Sequence, residues 1–332
     1  MITASDAKRQ HLFIVNPLSF ARSGSLDRMV QNIEDHLRAA AISDWTIYVS
    51  RYPRNAISVI RKYMANVRAD NIVRVYAVGG DGILFDCLNG IVGIPNTELA
   101  MIPFGVGGDF IRSFGCENIE LFKNIDLQIQ SPAIPTDIIN CGSNYALSFC
   151  LVGFESVTNK NVILSDPRVQ KIKRFFPSLT PFYYTIGAFF SLIGEKRISQ
   201  AYQIIADGED VSGTYMTINI ANSPYYARGK HPNAAALPND GWLDMLLVKK
   251  IHPARAPFLF STYLKGHYKK ISNIVSHRRV KKISIRSEFP LLVCIDAETF
   301  FDTSIDMEIM EHAINFVAVN NLPYKGSADE PA

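Results

Sequence analysis

The turn Gly79-Gly80-Asp81-Gly82, directly behind the apolar run Ile72 to Val78, constrains this chain more than any other feature. Three glycines in four residues let the backbone approach a ligand closely and aim successive N–H groups at it. A helical pattern from Ile83 to Ile91 follows at once, so the positive end of a helix dipole points to the same place. Phosphate is the natural guest. A ligand-free strand-to-helix turn would carry the same glycines, so the motif alone leaves both readings open. Asp81 favours the first, because an acid in an anion-binding turn repels phosphate unless it serves a metal ion.

The first third of the chain sets that turn in an alternating pattern. Leu12 to Val15, Trp45 to Val49, Ile72 to Val78 and Leu99 to Pro103 read as short buried strands. Leu26 to Ala41 and Ala56 to Val67 carry helical periodicity between them. Strands separated by helices predict a parallel sheet with helices on both faces, an α/β domain over residues 1–135. A β-rich domain over 136–315 is expected next, because Tyr145 to Gly153, Ala201 to Ala206, Tyr215 to Ala221, Leu243 to Val248, Lys282 to Ile285 and Leu291 to Ile295 read as strands with short turns. Residues 316–332 read as a terminal segment and frayed tail.

Composition narrows the class. The chain is 48% hydrophobic and 20% charged, as an ordinary globular protein is, and its net charge of +3 is too small to argue for nucleic acid. The five cysteines are scattered without a CxxC pair, and the seven histidines form no zinc-enzyme spacing. A reducing cytosol fits best. Phe175 to Gly194 is uncharged, yet Pro177 and Pro181 break its first half. A buried or interfacial helix is the better reading than a membrane span.

A second glycine turn, Gly105-Val106-Gly107-Gly108-Asp109, also follows a strand of the predicted sheet. Loops at the carboxyl ends of parallel strands gather along one edge, so two glycine turns, Asp81 and Asp109 should converge there with Asn16-Pro17-Leu18-Ser19. The combination suggests a nucleotide polyphosphate with Mg²⁺. Further along lie Asn222-Ser223-Pro224-Tyr225-Tyr226, Pro232-Asn233-Ala234 and Asp240-Gly241-Trp242-Leu243-Asp244. The last of these alone reads as a turn. Asp296-Ala297-Glu298 closes a strong strand; paired acids there could supply a general base, and a solvated turn would look the same.

The order of these motifs, with Asn89-Gly90 in the helix behind the first turn, resembles the diacylglycerol kinase catalytic family, which includes bacterial lipid kinases and sphingosine kinases. The resemblance runs from about residue 11 to 315. It implies an α/β domain of the NAD kinase/diacylglycerol kinase type and a mostly antiparallel second domain, with ATP and Mg²⁺ in the cleft and a lipid hydroxyl as acceptor. By position, Gly79, Gly80, Asp81 and Gly82 would hold the nucleotide phosphates with Asn16, Ser19, Gly105 and Gly107, and Ser50 would lie near the nucleotide. Asp109 would belong to the Mg²⁺ network. Asp240, with the carbonyls of Leu237 and Trp242, would bind a second, structural Mg²⁺. Glu298 would accept the proton of the substrate hydroxyl, with Asp296 beside it.

Several positions depart from the family pattern. Ile83 stands where a threonine is usual, Val106 and Gly108 remove a hydroxyl and an amide, Asp86 replaces a glutamate, Ala297 replaces a glycine, and Ala227-Arg228-Gly229 replaces a triple glycine. Each lost hydrogen bond to a charged group costs roughly 1.5–3 kcal/mol. A weak or silent lipid- or nucleotide-binding protein is therefore an alternative to a working kinase. NAD kinase shares the first turn, but its threonine- and serine-rich loop is missing here and the Asp240 segment argues against it. Basic residues beside aromatics, at Arg168 to Phe190, and a second basic cluster from Lys265 to Lys282 suit an anionic bilayer or a solvated shoulder equally. The expected partner is a lipid at a membrane surface, with no nucleic acid and no transmembrane segment. The expected location is the cytoplasm or the inner membrane face, and the sequence is compatible with a homodimer.

Overall fold

The computed structural model describes residues 9–21, 25–104, 108–157, 171, 199–227, 229–252, 255–296 and 298–326. The predicted aromatic helix near 181–193, the basic and aromatic run before it (apart from Lys171), Gly105 to Gly107, Arg228 and Ala297 lie outside them. Strands β1 (Arg9–Val15), β2 (Trp45–Val49), β3 (Ile72–Gly79) and β4 (Thr97–Pro103) form a parallel sheet in the order β4-β3-β1-β2. Helices α1 (Leu26–Ala39), α2 (Asn55–Met64) and α3 (Asp81–Ile91) connect them. The near-continuous apolar runs of β1 and β3 are buried, as expected of strands covered on both faces.

Two helix pairs cover this sheet. Against α2, Gly90 of α3 lets Ile60 come so close that an added Cβ would lie 2.9 Å from its Cδ1. The second pair is α1 with α4 (Ile125–Gln130), where His36 Nδ1 lies 2.8 Å from Asp126 Oδ1. Buried Arg74 on β3 donates to Glu98 Oε2 at 2.6 Å and to the carbonyls of Gln128 and Ile129.

Beyond β5 (Ala133–Asn140) the chain is β-rich and mostly antiparallel. It comprises β6 (Tyr145–Ala146), β7 (Phe149–Gly153), α5 (Phe154–Val157), β8 (Gln200–Ala206), β9 (Glu209–Asp210), β10 (Gly213–Tyr215), β11 (Thr217–Ala221), β12 (Leu243–Val248), α6 (Ala256–Leu264), β13 (Val275–Val280), β14 (Lys282–Ile295) and β15 (Glu298–Val317). The single strand expected from Tyr145 to Gly153 is broken at Leu147 and Ser148, whose amides turn to bond Asp296. The two strands expected over 282–295 are one, with a register shift between Arg286 and Leu291. The sequence reading also has no counterpart for β15. Its sparse apolar residues alternate with exposed charges, and its C-terminal end pairs in parallel with β4, so Phe316 and Val317 join the first core.

A second core lies within the β-rich part around Ile204, Ile218, Val293 and Met307. A third, smaller core joins β11–β13 to α6 through Met216, Val248, Leu259, Tyr263 and Ile271. None of the described helices is long and apolar enough to cross a membrane.

Candidate functional site

The first turn is built for close approach. Gly79 has φ +149°, and a Cβ there would lie 2.9 Å from Ser19 Oγ and 3.2 Å from Asn16 Cβ. Only glycine permits that contact, and it brings the loop behind β1 against the turn behind β3. Asn16 is itself a cap, its Oδ1 accepting the Leu18 N–H at 3.1 Å. Ser50 sits at the end of β2, its N–H donating to Val15 O at 2.9 Å. Apart from its chain neighbours and its own helix backbone, no atom of the described residues lies within 4 Å of a Cβ built on Gly82, so among them nothing covers the backbone of the first turn of α3. Ile83 is buried beneath the turn, its Cγ2 3.1 Å from the same imagined Gly79 Cβ. It packs the turn from below, where a threonine would have offered a hydroxyl.

The two glycine turns do converge, and Asp81 is what joins them. Its Oδ1 accepts the N–H groups of Gly108 at 2.8 Å and Asp109 at 3.0 Å. Burial raises the Asp81 pKa above the ordinary carboxylate value, against the pull of those amides and of the Arg112 guanidinium. Asp109 carries the link onward: its Oδ1 accepts the Gly229 N–H at 2.9 Å and faces Arg112 Nε at 3.4 Å. The segment beginning Asn222-Ser223 is thereby tied to Asp109 and, through Asp81, to the first glycine turn. Within it, Asn222 Nδ2 donates to Asp137 O and Leu147 O, and the hydroxyls of Ser113 and Ser223 lie 2.8 Å apart. Asn89 performs the same service behind the first turn by bonding both backbone groups of Tyr145.

Asp296 and Glu298 are neighbours in sequence with different work. Asp296, at φ +47°, accepts the N–H groups of Leu147 at 2.8 Å and of Ser148 and Phe149 at 3.0 Å each. Its carboxylate organises the turn between β6 and β7. Burial nevertheless pushes its pKa up to about 6, with Asp81 adding to the rise through its charge. The β14 end and the first glycine turn therefore lie within electrostatic range of each other. Glu298 starts β15 with a side chain 39% exposed, facing Arg54 Nη2 across 3.5 Å.

Arg54 was not legible as a site residue. It caps α2 from a left-handed conformation, φ 66°, that a long side chain rarely adopts. Its N–H donates to Asp86 Oδ2 at 3.1 Å, its Nη1 lies 3.5 Å from Asp86 Oδ1, and its guanidinium stacks 4.2 Å over the Phe85 ring. Asp86, on α3, has its pKa raised by burial and by Glu298, with Arg54 opposing. Arg54 thus spans the carboxylate behind the glycine turn and the carboxylate at the head of β15. The only available signal was one of two arginines, Arg51 and Arg54, in a polar loop before a helix.

A second residue the sequence reading missed is Glu155 on α5. Its carboxyl is buried, held by the hydroxyls of Tyr226 and Tyr263, the latter at 2.9 Å, and burial raises its pKa to about 8. Tyr226 belongs to the same loop as Gly229, so this buried acid connects α6 to the loop that Asp109 holds.

Asp240 stands apart from these residues. One carboxylate oxygen accepts the Trp242 N–H at 3.1 Å and the other pairs with Arg279 Nη2. Its loop, which includes Leu237, is anchored by buried Asp137, which accepts the N–H groups of Gly241 and His312 at 2.8 and 2.7 Å. Asp240 therefore already faces a cation of the protein's own. Among the described residues no group of three or more His, Cys, Asp or Glu side chains is placed to hold a metal ion. Where the resemblance implies a structural Mg²⁺ held by Asp240 and the carbonyls of Leu237 and Trp242, the Arg279 guanidinium pairs with the Asp240 carboxylate.

Comparison with known proteins follows the same line. The diacylglycerol kinase catalytic domain model matches residues 10–141, and the YegS C-terminal NAD kinase beta sandwich-like domain model matches residues 166–319. A Shewanella frigidimarina protein named "Probable lipid kinase YegS-like" is 25% identical over 266 residues, 79% of this chain and 82% of its own length. A Staphylococcus aureus protein, also named as a lipid kinase, is 24% identical over 270 residues, covering 79% and 84%. A crystal structure from Bacillus anthracis superposes with a TM-score of 0.72 at 21% identity, over 97% of this chain and 99% of that one. Another, described as a diacylglycerol kinase, gives 0.65 at 22%, over 94% and 98%. At those identities the structures speak to the fold. Matched by the two models in succession and similar to relatives named as lipid kinases, the chain resembles the diacylglycerol kinase catalytic family along most of its length and is a kinase-like enzyme.

Proposed function

We propose that the protein transfers the γ-phosphoryl group of ATP, with Mg²⁺, to the hydroxyl of a lipid such as diacylglycerol. The observation that carries this reading is the link from Glu298 to the helix behind the first glycine turn, through Arg54 and Asp86. In this reading a phosphate-holding turn and a half-exposed carboxylate are joined through Arg54, which is what phosphoryl transfer to an alcohol needs.

In this reading the amides of Gly79 to Gly82 hold the nucleotide phosphates, with Asn16, Ser19, Gly105 and Gly107 around them and Ser50 near the nucleotide. Asp81 and Asp109 supply the hard oxygen donors that suit Mg²⁺, and a cation beside Asp81 would relieve its repulsion with Asp296. Bound there with the nucleotide, Mg²⁺ would supply charge neutralisation. Glu298 takes the proton of the lipid hydroxyl as its oxygen bonds to the γ-phosphorus, while the bond to the bridging oxygen breaks and ADP leaves. Lipid as the acceptor rests on the names of the two relatives. Ile83, packed under the turn, removes one hydroxyl without closing the backbone site.

The test is purified protein with labelled ATP and Mg²⁺ against diacylglycerol, a sphingoid base, other lipid alcohols and NAD. Labelled phospholipid is expected. Labelled NAD would overturn the lipid reading, and no product together with no ATP-induced rise in melting temperature would leave the silent binder in its place.

A further inference from the structure

From Met245 to Ser287 the chain has no acidic residue, while it carries Lys249, Lys250, Arg255, Lys265, Lys269 and Lys270 and then five more bases from Arg278 to Arg286. The structure divides this run in two. Arg278, Arg279, Lys281, Lys282 and Arg286 each face a carboxylate, those of Glu209, Asp240, Glu311, Glu308 and Asp306. Lys249, Lys250, Arg255, Lys265 and Lys270 are exposed and have no carboxylate partner among the described residues. Similar sequence, opposite electrostatics.

The unpaired bases belong to one lobe. Ile251, Leu259, Tyr263, Tyr268 and Ile271 pack into the third core, so the described residues between Lys249 and Ile271 share a single small interior, and Lys249, Lys250, Arg255, Lys265 and Lys270 lie exposed around it. Helix α6 shows the division along its length. Leu259 and Tyr263 face inward, one turn apart, whereas Phe258 is 72% exposed. Helical spacing puts Arg255, Phe258, Thr262 and Lys265 on the outer stripe. An exposed aromatic between two cations, with lysines at both ends of the lobe, is chemistry for an anionic interface with an apolar interior.

We infer that this lobe docks the protein on an anionic lipid bilayer, Phe258 entering the interface and Lys249, Lys250, Arg255, Lys265 and Lys270 meeting the headgroups. The inference rests on the lipid-kinase reading for its purpose, since α6 reaches the candidate site through Tyr263, Glu155 and the loop of Tyr226 and Gly229. Docking through α6 would therefore present the site to its substrate's own surface.

The experiment is flotation of the full chain with phosphatidylcholine vesicles, with and without phosphatidylglycerol, and with a duplex oligonucleotide as a competing polyanion. Binding is expected on the anionic vesicles only and should weaken as salt rises. Lys265→Glu with Lys270→Glu should weaken it roughly tenfold or more, and Phe258→Ser a few-fold, at unchanged melting temperature. Lys282→Glu, a single reversal in the paired run, should alter it much less than Lys265→Glu alone. Equal losses for Lys282→Glu and the lobe variants would overturn the assignment, as would duplex binding that matches vesicle binding and ignores Phe258→Ser. Micellar diacylglycerol keeps the two claims apart. Lobe variants that turn it over normally but float poorly support docking. Wild-type binding without any phosphoryl transfer supports docking and counts against the kinase reading alone.

Discussion

Two acid-bearing turns in the β-rich part of the molecule met with different fates. At the head of β15, Glu298 is half exposed and meets a cation, Arg54, that comes from the α/β part of the chain. In the loop before β12, Asp240 meets Arg279 from the neighbouring strand and a backbone N–H of its own loop. The first pairing joins the α/β part to the β-rich part and leaves the carboxylate partly exposed; the second stays between neighbouring elements of one sheet and neutralises the acid in place. A carboxylate's chemistry is decided by where its counter-charge comes from, which spacing in the sequence does not record.

The sharpest way to break that contrast is Arg54→Met. If Arg54 orients Glu298 and Asp86, turnover should fall roughly 10- to 100-fold, the scale of one lost charge-assisted interaction, with ATP affinity changed less. Arg54→Lys should recover part of it. Equal loss of folding stability and turnover would make Arg54 merely structural.

A second difference lies within the Asp296–Glu298 turn itself. The Asp296 pKa is raised in the folded state, so the folded protein binds the proton more tightly than the unfolded chain does. That contribution is fully present below the unfolded value near 4 and is lost as pH climbs to about 6, on the order of 2–3 kcal/mol in all. Asp296→Asn should flatten this part of the stability profile, measured by urea unfolding across the window. An unchanged slope would remove Asp296 from the account.

Gly79→Ala should cost about 1–3 kcal/mol, from strain at φ +149° and the clash with Ser19. It should also weaken ATP binding, read by thermal shift. Smallest is Arg279→Met. Both partners are partly exposed, so the pair contributes about 1 kcal/mol or less. The informative readout is Mg²⁺: if Arg279 occupies the place of a cation, the variant should gain a Mg²⁺-dependent rise in melting temperature that the wild type lacks.

Much of the α/β part was legible because its signals are local. Apolar runs bounded by polar loops placed β1 to β4 within a few residues, and two glycine turns at strand ends predicted their convergence. The boundaries of α2 and α3 shifted because Asn55 and Asp81 are polar residues that start helices. The β-rich part was read less well. The long β15 alternates exposed charge with sparse apolar residues and returns to the first sheet, a pairing that only tertiary structure specifies. Asp81 was read as a metal-linked acid, yet its Oδ1 holds the second turn by its amides, a contact 27 residues away in sequence. Arg54 and Glu155 had no motif at all; their roles follow from partners distant in the chain.

The division of labour between Asp296 and Glu298 is the central claim, and one comparison tests it most directly. Glu298→Gln and Asp296→Asn would each be assayed for transfer of labelled phosphate to diacylglycerol, melting temperature and ATP-induced stabilisation. The account predicts that Glu298→Gln abolishes transfer while melting and ATP binding stay at wild-type values, and that Asp296→Asn changes melting first. Wild-type turnover in Glu298→Gln would contradict it.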